Sequence, residues 1–186
     1  MAMADGMPKG STLYTCELEA KAARLAREAF SVSIELLEGE AMNSLHDLAA
    51  KKLQFDAVFL DADKGNYVNY FNFILENDLL ANHGYIVADN VLFSGLVLHS
   101  EGSPSSLPSP PVSPQLAPQS DSSSKSEQKR STKLSRQKAA DRVDAFNKHV
   151  KNDPRVDVVL LPIFDGLSVI MRKKAVDDPT HPQVTR

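Results

Sequence analysis

Two short apolar runs that each finish in acidic or amide side chains, with a helix-length stretch between them, restrict this chain more than any other feature. The first, Phe55-Asp56-Ala57-Val58-Phe59-Leu60, is β-branched and aromatic and stops at Asp61-Ala62-Asp63-Lys64-Gly65, which has the composition of a strand running into a loop. The second, Gly84-Tyr85-Ile86-Val87-Ala88, stops at Asp89-Asn90. Between them, residues 66 to 80 can make about four turns of helix, with Tyr67, Tyr70 beside Phe71, Ile74 and Leu79 recurring at helical spacing. A crossover of that length makes the two strands parallel. In an open parallel sheet, ligands sit beyond the carboxyl ends of the strands.

Both of those ends carry oxygen donors. Asp61, Asp89 and the Asn90 amide carbonyl supply two charges and one neutral oxygen, a set that suits a hard divalent cation with positions left for water or substrate. Lys64 is placed to act as a base if a cation and partial burial lower its pKa. A plainer reading has each Asp capping the turn that follows its strand, and residue types alone balance the two readings evenly.

Asp-Ala-Asp-Lys-x-Asn-Tyr, a helix, and then Val-Ala-Asp-Asn-Val-Leu-x-x-Gly, in that order and at that separation, resemble the cation-dependent, S-adenosylmethionine-dependent O-methyltransferases of the caffeoyl-coenzyme A and catechol type. The resemblance implies an α/β, Rossmann-like class I methyltransferase fold. It assigns Asp61, Asp89 and Asn90 to Mg2+ or another divalent cation, and Glu17, Ala41 and Asp63 to S-adenosylmethionine. Lys64, with Asp61 beside it, is implied to remove the proton of the methyl acceptor. Asp61 and, more weakly, Ser94 just after the second motif are implied on the substrate side.

Weaker matches extend the likeness. Leu13-Tyr14-Thr15-Cys16 reads as a strand ending at Glu17, followed by an alanine-rich helix over 20–30 with Leu25, Ala26, Ala29 and Phe30 on one side. A lone Glu before a helix is more often a dipole-complementing cap; the resemblance of Tyr-Thr-Cys-Glu to the segment that holds the adenosine ribose reverses that preference for Glu17. Ser33 to Leu37 alternates as the next strand and leads through Glu38-Gly39-Glu40-Ala41-Met42 into a short helix. There the resemblance puts Ala41 beside the adenine. Near the end, Leu-Leu-Pro-x-x-Asp-Gly-Leu joins strands at Val156 to Leu161 and Leu167 to Met171 and resembles the family's terminal antiparallel hairpin.

Residues 99–138 are a different material, rich in Ser and Pro and without aromatics, and are expected to be a disordered insertion because they cannot bury enough apolar surface to offset their entropy. They divide a methyltransferase-like domain into 1–98 and 139–176, with a polar tail at 177–186. Order is expected to resume near Ala139, in a helix with Ala139, Val143, Phe146 and Val150 on one face. The likeness begins at the second strand of the family's sheet, so the expected fold lacks its first strand and glycine-rich turn. The chain has eight glycines but no Gly-x-Gly. The strands ending at Glu17 and Asp61 must then pair with each other or leave open edges. A homodimer, which the family supports through earlier helices, is a weakened expectation.

Composition closes off other classes. A net charge of -3 carries no nucleic-acid signature, and no apolar run approaches the ~20 residues of a membrane span. One cysteine, Cys16, rules out an internal disulfide framework and a Cys-rich zinc site and points to a reducing, cytoplasmic setting. The expected activity is methyl transfer to a hydroxyl of a small catechol-like or caffeoyl-type phenol. The competing expectation is a catalytically inactive fragment of the fold with a binding or regulatory role.

Overall fold

The structure, a computed structural model, describes residues 2–30, 33–99 and 123–173. They belong to two units, Met1–Gln54 with Asn72–Leu79, and Phe55–Phe71 with Leu80–Arg186. Among the described residues no helix is long and apolar enough to cross a membrane.

In the first unit a short helix α1 (Ala2–Asp5) precedes β1 (Leu13–Glu17), α2 (Ala20–Ala29), β2 (Ile34–Glu38) and α3 (Ala41–Ala50). β1 and β2 pair in parallel, from Leu13 opposite Ile34 to Glu17 opposite Glu38. The strands and helices expected from the sequence are therefore all present, shifted by a residue or so at their ends. α2 buries Ala23 and reaches β2 through an Arg27–Glu38 ion pair at 2.5 Å. α3 buries Ser44 and Leu48 and stops where Lys52 turns left-handed, the Leu53 N–H donating back to the Leu48 carbonyl at 3.3 Å. That is a helix stop of the Schellman kind, supplied here by lysine rather than glycine.

The second unit contains β3 (Phe55–Leu60), the start of α4 (Tyr67–Glu76), β4 (Leu80–Asp89), a 3-10 segment at Phe93–His99, α5 (Ser123–Asn152), β5 (Val156–Leu161) and β6 (Leu167–Arg172). Its sheet has the order β3-β4-β6-β5. β3 and β4 are parallel, as the crossover predicted, and β6 runs antiparallel to both β4 and β5. β3 is an edge strand of this sheet and β1 has β2 as its one partner, so among the described residues the open-edge alternative is the one observed. Tyr67, Phe71, Ile86, Phe146 and Ile170 are wholly buried and form the heart of this unit.

Three boundaries differ from expectation for identifiable reasons. α4 ends at Glu76 rather than near Leu80, because Asp78 adopts a left-handed conformation and the Leu79 N–H returns to the Ile74 carbonyl at 3.0 Å. β4 begins at Leu80 rather than Gly84: Phe55 pairs with Leu80 and Ala57 with Tyr85, so the extra residues form a bulge. A Cβ on Gly84 would come within 2.8 Å of the Phe55 carbonyl oxygen, which is why glycine stands there.

The third difference is α5. It starts at Ser123, well before Ala139, in a proline-free run of Ser, Lys, Glu, Gln and Arg that includes good helix formers. The helical end of the expected insertion is thus a correction, while its residues 100–122 lie outside the described residues. Val143, Phe146 and Val150 are buried as expected, with Ala140 taking the place foreseen for Ala139. α5 ends at Asn152, where Asp153, nearly buried, receives Arg155 through the backbone N–H at 2.8 Å and the guanidinium at 2.6 Å.

Candidate active site

The carboxyl ends of β3 and β4 lie side by side, since Leu60 pairs with Ala88, and the groups singled out in the sequence leave from those ends. Asp61 follows β3 directly. Asp89 closes β4, and Asn90, the next residue, is left-handed with φ 58°. Asparagine tolerates that conformation better than most residues. Here it turns the amide so that Asn90 Oδ1 accepts from Lys64 Nζ at 3.1 Å.

Lys64 is the meeting point. Its ammonium donates to Asp61 Oδ1 at 3.0 Å, to Asn90 Oδ1, and to the Tyr67 hydroxyl by a short hydrogen bond. Its side chain is 16% exposed against 50% for Asp61. The Tyr67 hydroxyl in turn lies 3.1 Å from the Leu60 carbonyl oxygen and 3.3 Å from that of Asp89, the last carbonyls of the two strands. Burial first, then the charges of Asp61 and Asp89, push the Tyr67 phenol well above its ordinary pKa. Asp89 Oδ1 accepts from the Asn90 N–H at 2.6 Å.

Asp63 lies in the same loop but faces a different set of partners. Oδ2 accepts from Asn66 Nδ2 and Oδ1 from the Tyr70 hydroxyl, both at 2.7 Å. The carboxylate therefore ties the loop to α4, and each oxygen keeps a second lone pair for a ligand. Ser94 is exposed in the 3-10 segment with φ 55°, and its N–H donates to Asp165 Oδ1. In the hairpin loop a Cβ on Gly166 would strike the Leu92 side chain and backbone at 2.6 and 2.8 Å, so glycine lets the loop close on the segment after β4.

In the first unit, Glu17 ends β1 and accepts from the Glu19 N–H through Oε1 at 2.8 Å. One oxygen thus caps the turn into α2, the plainer role weighed for it. Oε2 has no hydrogen bond among the described residues. Ala41 opens α3, whose Glu40 cap makes no side-chain hydrogen bond, leaving first-turn N–H groups without intrahelical partners.

The donor set at the strand ends fits a hard cation in chemistry. Asp61 Oδ1 and Asn90 Oδ1 already share one positive charge, the Lys64 ammonium, which stands where two oxygens converge. It is not a cluster of carboxylates: among the described residues no group of three or more His, Cys, Asp or Glu side chains gathers as a metal site. The third donor is an amide. Two site residues escaped the sequence reading in their true roles. Tyr67 is an apolar helix position by periodicity and the last residue of the first motif, and its spacing of three from Lys64 is a usable signal, whereas no sequence pattern marks Asn147. Asn147 Nδ2 donates to the Val91 carbonyl at 2.7 Å and holds the segment after Asn90 to α5.

Comparison with known proteins gives the family and the fold. A family model described as O-methyltransferase matches residues 1–108. The chain is 33% identical over 180 residues to O-methyltransferase ankF of Aspergillus thermomutatus, covering 93% of this chain and 65% of that protein. It is 31% identical over 142 residues to caffeoyl-CoA O-methyltransferase 5 of Nicotiana tabacum, covering 75% and 47%. The crystal structure of SAH-bound Podospora anserina methyltransferase PaMTH1 is similar with a TM-score of 0.65 and 28% identity, over 88% of this chain and 61% of that one. The fold class is thus α/β and Rossmann-like, and the chain spans about half to two thirds of the length of these relatives.

Proposed function

The chain belongs to the O-methyltransferase family, and from that premise we propose that it transfers a methyl group from S-adenosylmethionine to one hydroxyl of a small catechol-like or caffeoyl-type phenol, in the cytoplasm. The names of the tobacco relative and of the SAH-bound Podospora structure support the acceptor class and the cofactor. Asp61, Asp89 and Asn90 would hold Mg2+ or another divalent cation, with Glu17, Ala41 and Asp63 serving the cofactor. When bound, S-adenosylmethionine would supply an electrophilic methyl group and the cation a Lewis acid that acidifies the hydroxyl it holds.

The chain's own residues do the rest. Lys64, fixed at the edge where both strands end, takes the hydroxyl proton on Nζ once it is neutral. Asp61 and Asn90 orient that nitrogen toward the same place where an acceptor oxygen would lie. Ser94 stands on the acceptor side as a hydroxyl donor or acceptor. Holding acceptor and donor in line is worth as much as the proton transfer, because it replaces a random encounter by a prepared one.

The observation that carries this reading is the Lys64 ammonium seated between Asp61 Oδ1 and Asn90 Oδ1 at the carboxyl edge of two parallel strands. Labelled S-adenosylmethionine and a caffeoyl-type catechol, with Mg2+, test it on the full 186-residue chain. Wild type should form the methyl ether, and Lys64→Met should lower the rate by about 10²-fold or more, the usual worth of a general base. Methylation undiminished in Lys64→Met removes Lys64 from the chemistry. No methylation by wild type leaves the inactive, binding role.

A further inference from the structure

We infer that Tyr67 is the positioning residue for Lys64: its hydroxyl, pinned to the last carbonyls of β3 and β4, holds the ammonium between Asp61 and Asn90. That Lys64 is the base rests on the function proposed above; the tether itself does not.

The hydrogen-bond inventory supports a tether rather than a chance contact. A lysine ammonium has three N–H donors, and Lys64 has three acceptors: Asp61 Oδ1, Asn90 Oδ1 and the Tyr67 hydroxyl oxygen. A phenol has one proton and oxygen lone pairs to spare. Two carbonyl oxygens, of Leu60 and Asp89, compete for that proton, so the lone pairs are left to accept, from the Ala62 N–H and from Lys64. Both partners therefore use their donors and acceptors in complementary fashion.

Tyr67 can hold Lys64 still because it cannot itself move. Its side chain is fully buried, and the Phe146 ring meets it edge-on at 5.3 Å between centroids and 80° between planes. The other two partners are less constrained. Asp61 is half exposed, and Asn90 sits on a left-handed turn after its strand. Of the three acceptors around Lys64, only Tyr67 is anchored both in the core and to the two strands whose ends carry Asp61, Asp89 and Asn90.

Amine acetylation of the folded 186-residue chain by acetic anhydride, read by peptide mass spectrometry, tests this without turnover. Three proteins suffice: wild type, Tyr67→Phe, which keeps the ring, and Tyr70→Phe, which removes a hydroxyl one turn along α4 that serves Asp63 instead. Lys64 should acetylate about tenfold faster in Tyr67→Phe, the worth of a charge-assisted hydrogen bond, and at the wild-type rate in Tyr70→Phe. Lys148, paired with Asp144 on α5, is the internal reference and should not change. An unchanged Lys64 rate in Tyr67→Phe overturns the proposal, as does equal acceleration at Lys148 or in Tyr70→Phe, since either marks general loosening. In the methylation assay the same variant should lower kcat about tenfold and leave KM within about twofold. Absence of turnover in wild type would fail the proposed activity alone, because the acetylation result stands on the tether.

Discussion

The two sheets of this protein are built to different standards. No residue of β1 or β2 is buried, although parallel strands are usually covered on both faces. The β3-β4-β6-β5 sheet buries Leu60, Ile86, Ala88, Val156 and Ile170 and receives α5 with Val143, Phe146 and Val150. A two-stranded sheet is marginal alone, so β1 and β2 owe their order to α2 and α3. The groups assigned to proton transfer and to the cation all leave from the densely packed sheet. Those assigned to the cofactor in the first unit, Glu17 and Ala41, leave from the thinly covered one. Precise placement of reacting groups needs rigid support, and the contrast shows where this chain provides it.

The strongest way to break the comparison is to truncate one side chain in each sheet's surroundings. Phe146→Ala removes the ring against both Tyr67 and Phe71 and should cost about 3–5 kcal/mol in denaturant unfolding. Leu36→Ala, in half-covered β2, should cost about 1 kcal/mol. Equal losses would mean that the two sheets are supported alike.

A smaller effect sharpens the comparison at the end of α5. The Arg155 guanidinium and N–H hold the Asp153 carboxyl below its ordinary pKa, burial opposing them. A depressed folded-state value means that this contribution is present above the unfolded carboxylate pKa and is lost as pH falls through the folded one. Wild type should therefore shed stability below about pH 4. Asp153→Asn should lose about 1.5–3 kcal/mol at pH 7 and show a flatter acid limb in unfolding titrations. An unaltered acid limb would show that the pair contributes nothing.

The smallest effect probes the thin sheet. Burial pushes the Cys16 thiol up, and a hydrogen bond from Ser44 offsets part of the rise, even though the residue as a whole is exposed. Alkylation by iodoacetamide at pH 8 should run a few-fold slower than for a free cysteine. A rate equal to the free amino acid would mean that α3 does not cover β1 at that point.

Much of this was readable in advance, and the rest fails for physical reasons. β3 was placed at Phe55 to Leu60 because an apolar run meets a loop of Asp, Lys and Gly, and the parallel pairing followed from the crossover. β4's early start was hidden because Asn82 and His83 occupy a bulge, where polarity is tolerated. The Lys64 contacts to Asp61 and Asn90 were implied by their sharing one sheet edge. Periodicity alone does not mark Tyr67 as a site residue, since it reports which face a side chain occupies and is silent on where its hydroxyl ends; the spacing of three from Lys64 is the signal that does. The start of α5 was masked by serines, which weaken helix propensity without abolishing it when lysine, glutamate and arginine surround them.

The antiparallel pairing of β4 with β6 has a consequence in time. Tyr85 lies opposite Met171, so the strand that carries Asp89 waits for β6, about eighty residues later, before its second edge is closed. β3, α4 and β4 can associate early, because their contacts are short in sequence, and β5 with β6 form a local hairpin of their own. Docking the two halves must then close the long excursion between them, the slow kind of contact in folding. At a synthesis rate of about 5–20 residues per second, β4 would present an unpaired edge for on the order of ten seconds on the ribosome. Truncation after Leu161 is therefore expected to leave β4 with an open edge, a consequence of the order in which the strands are made.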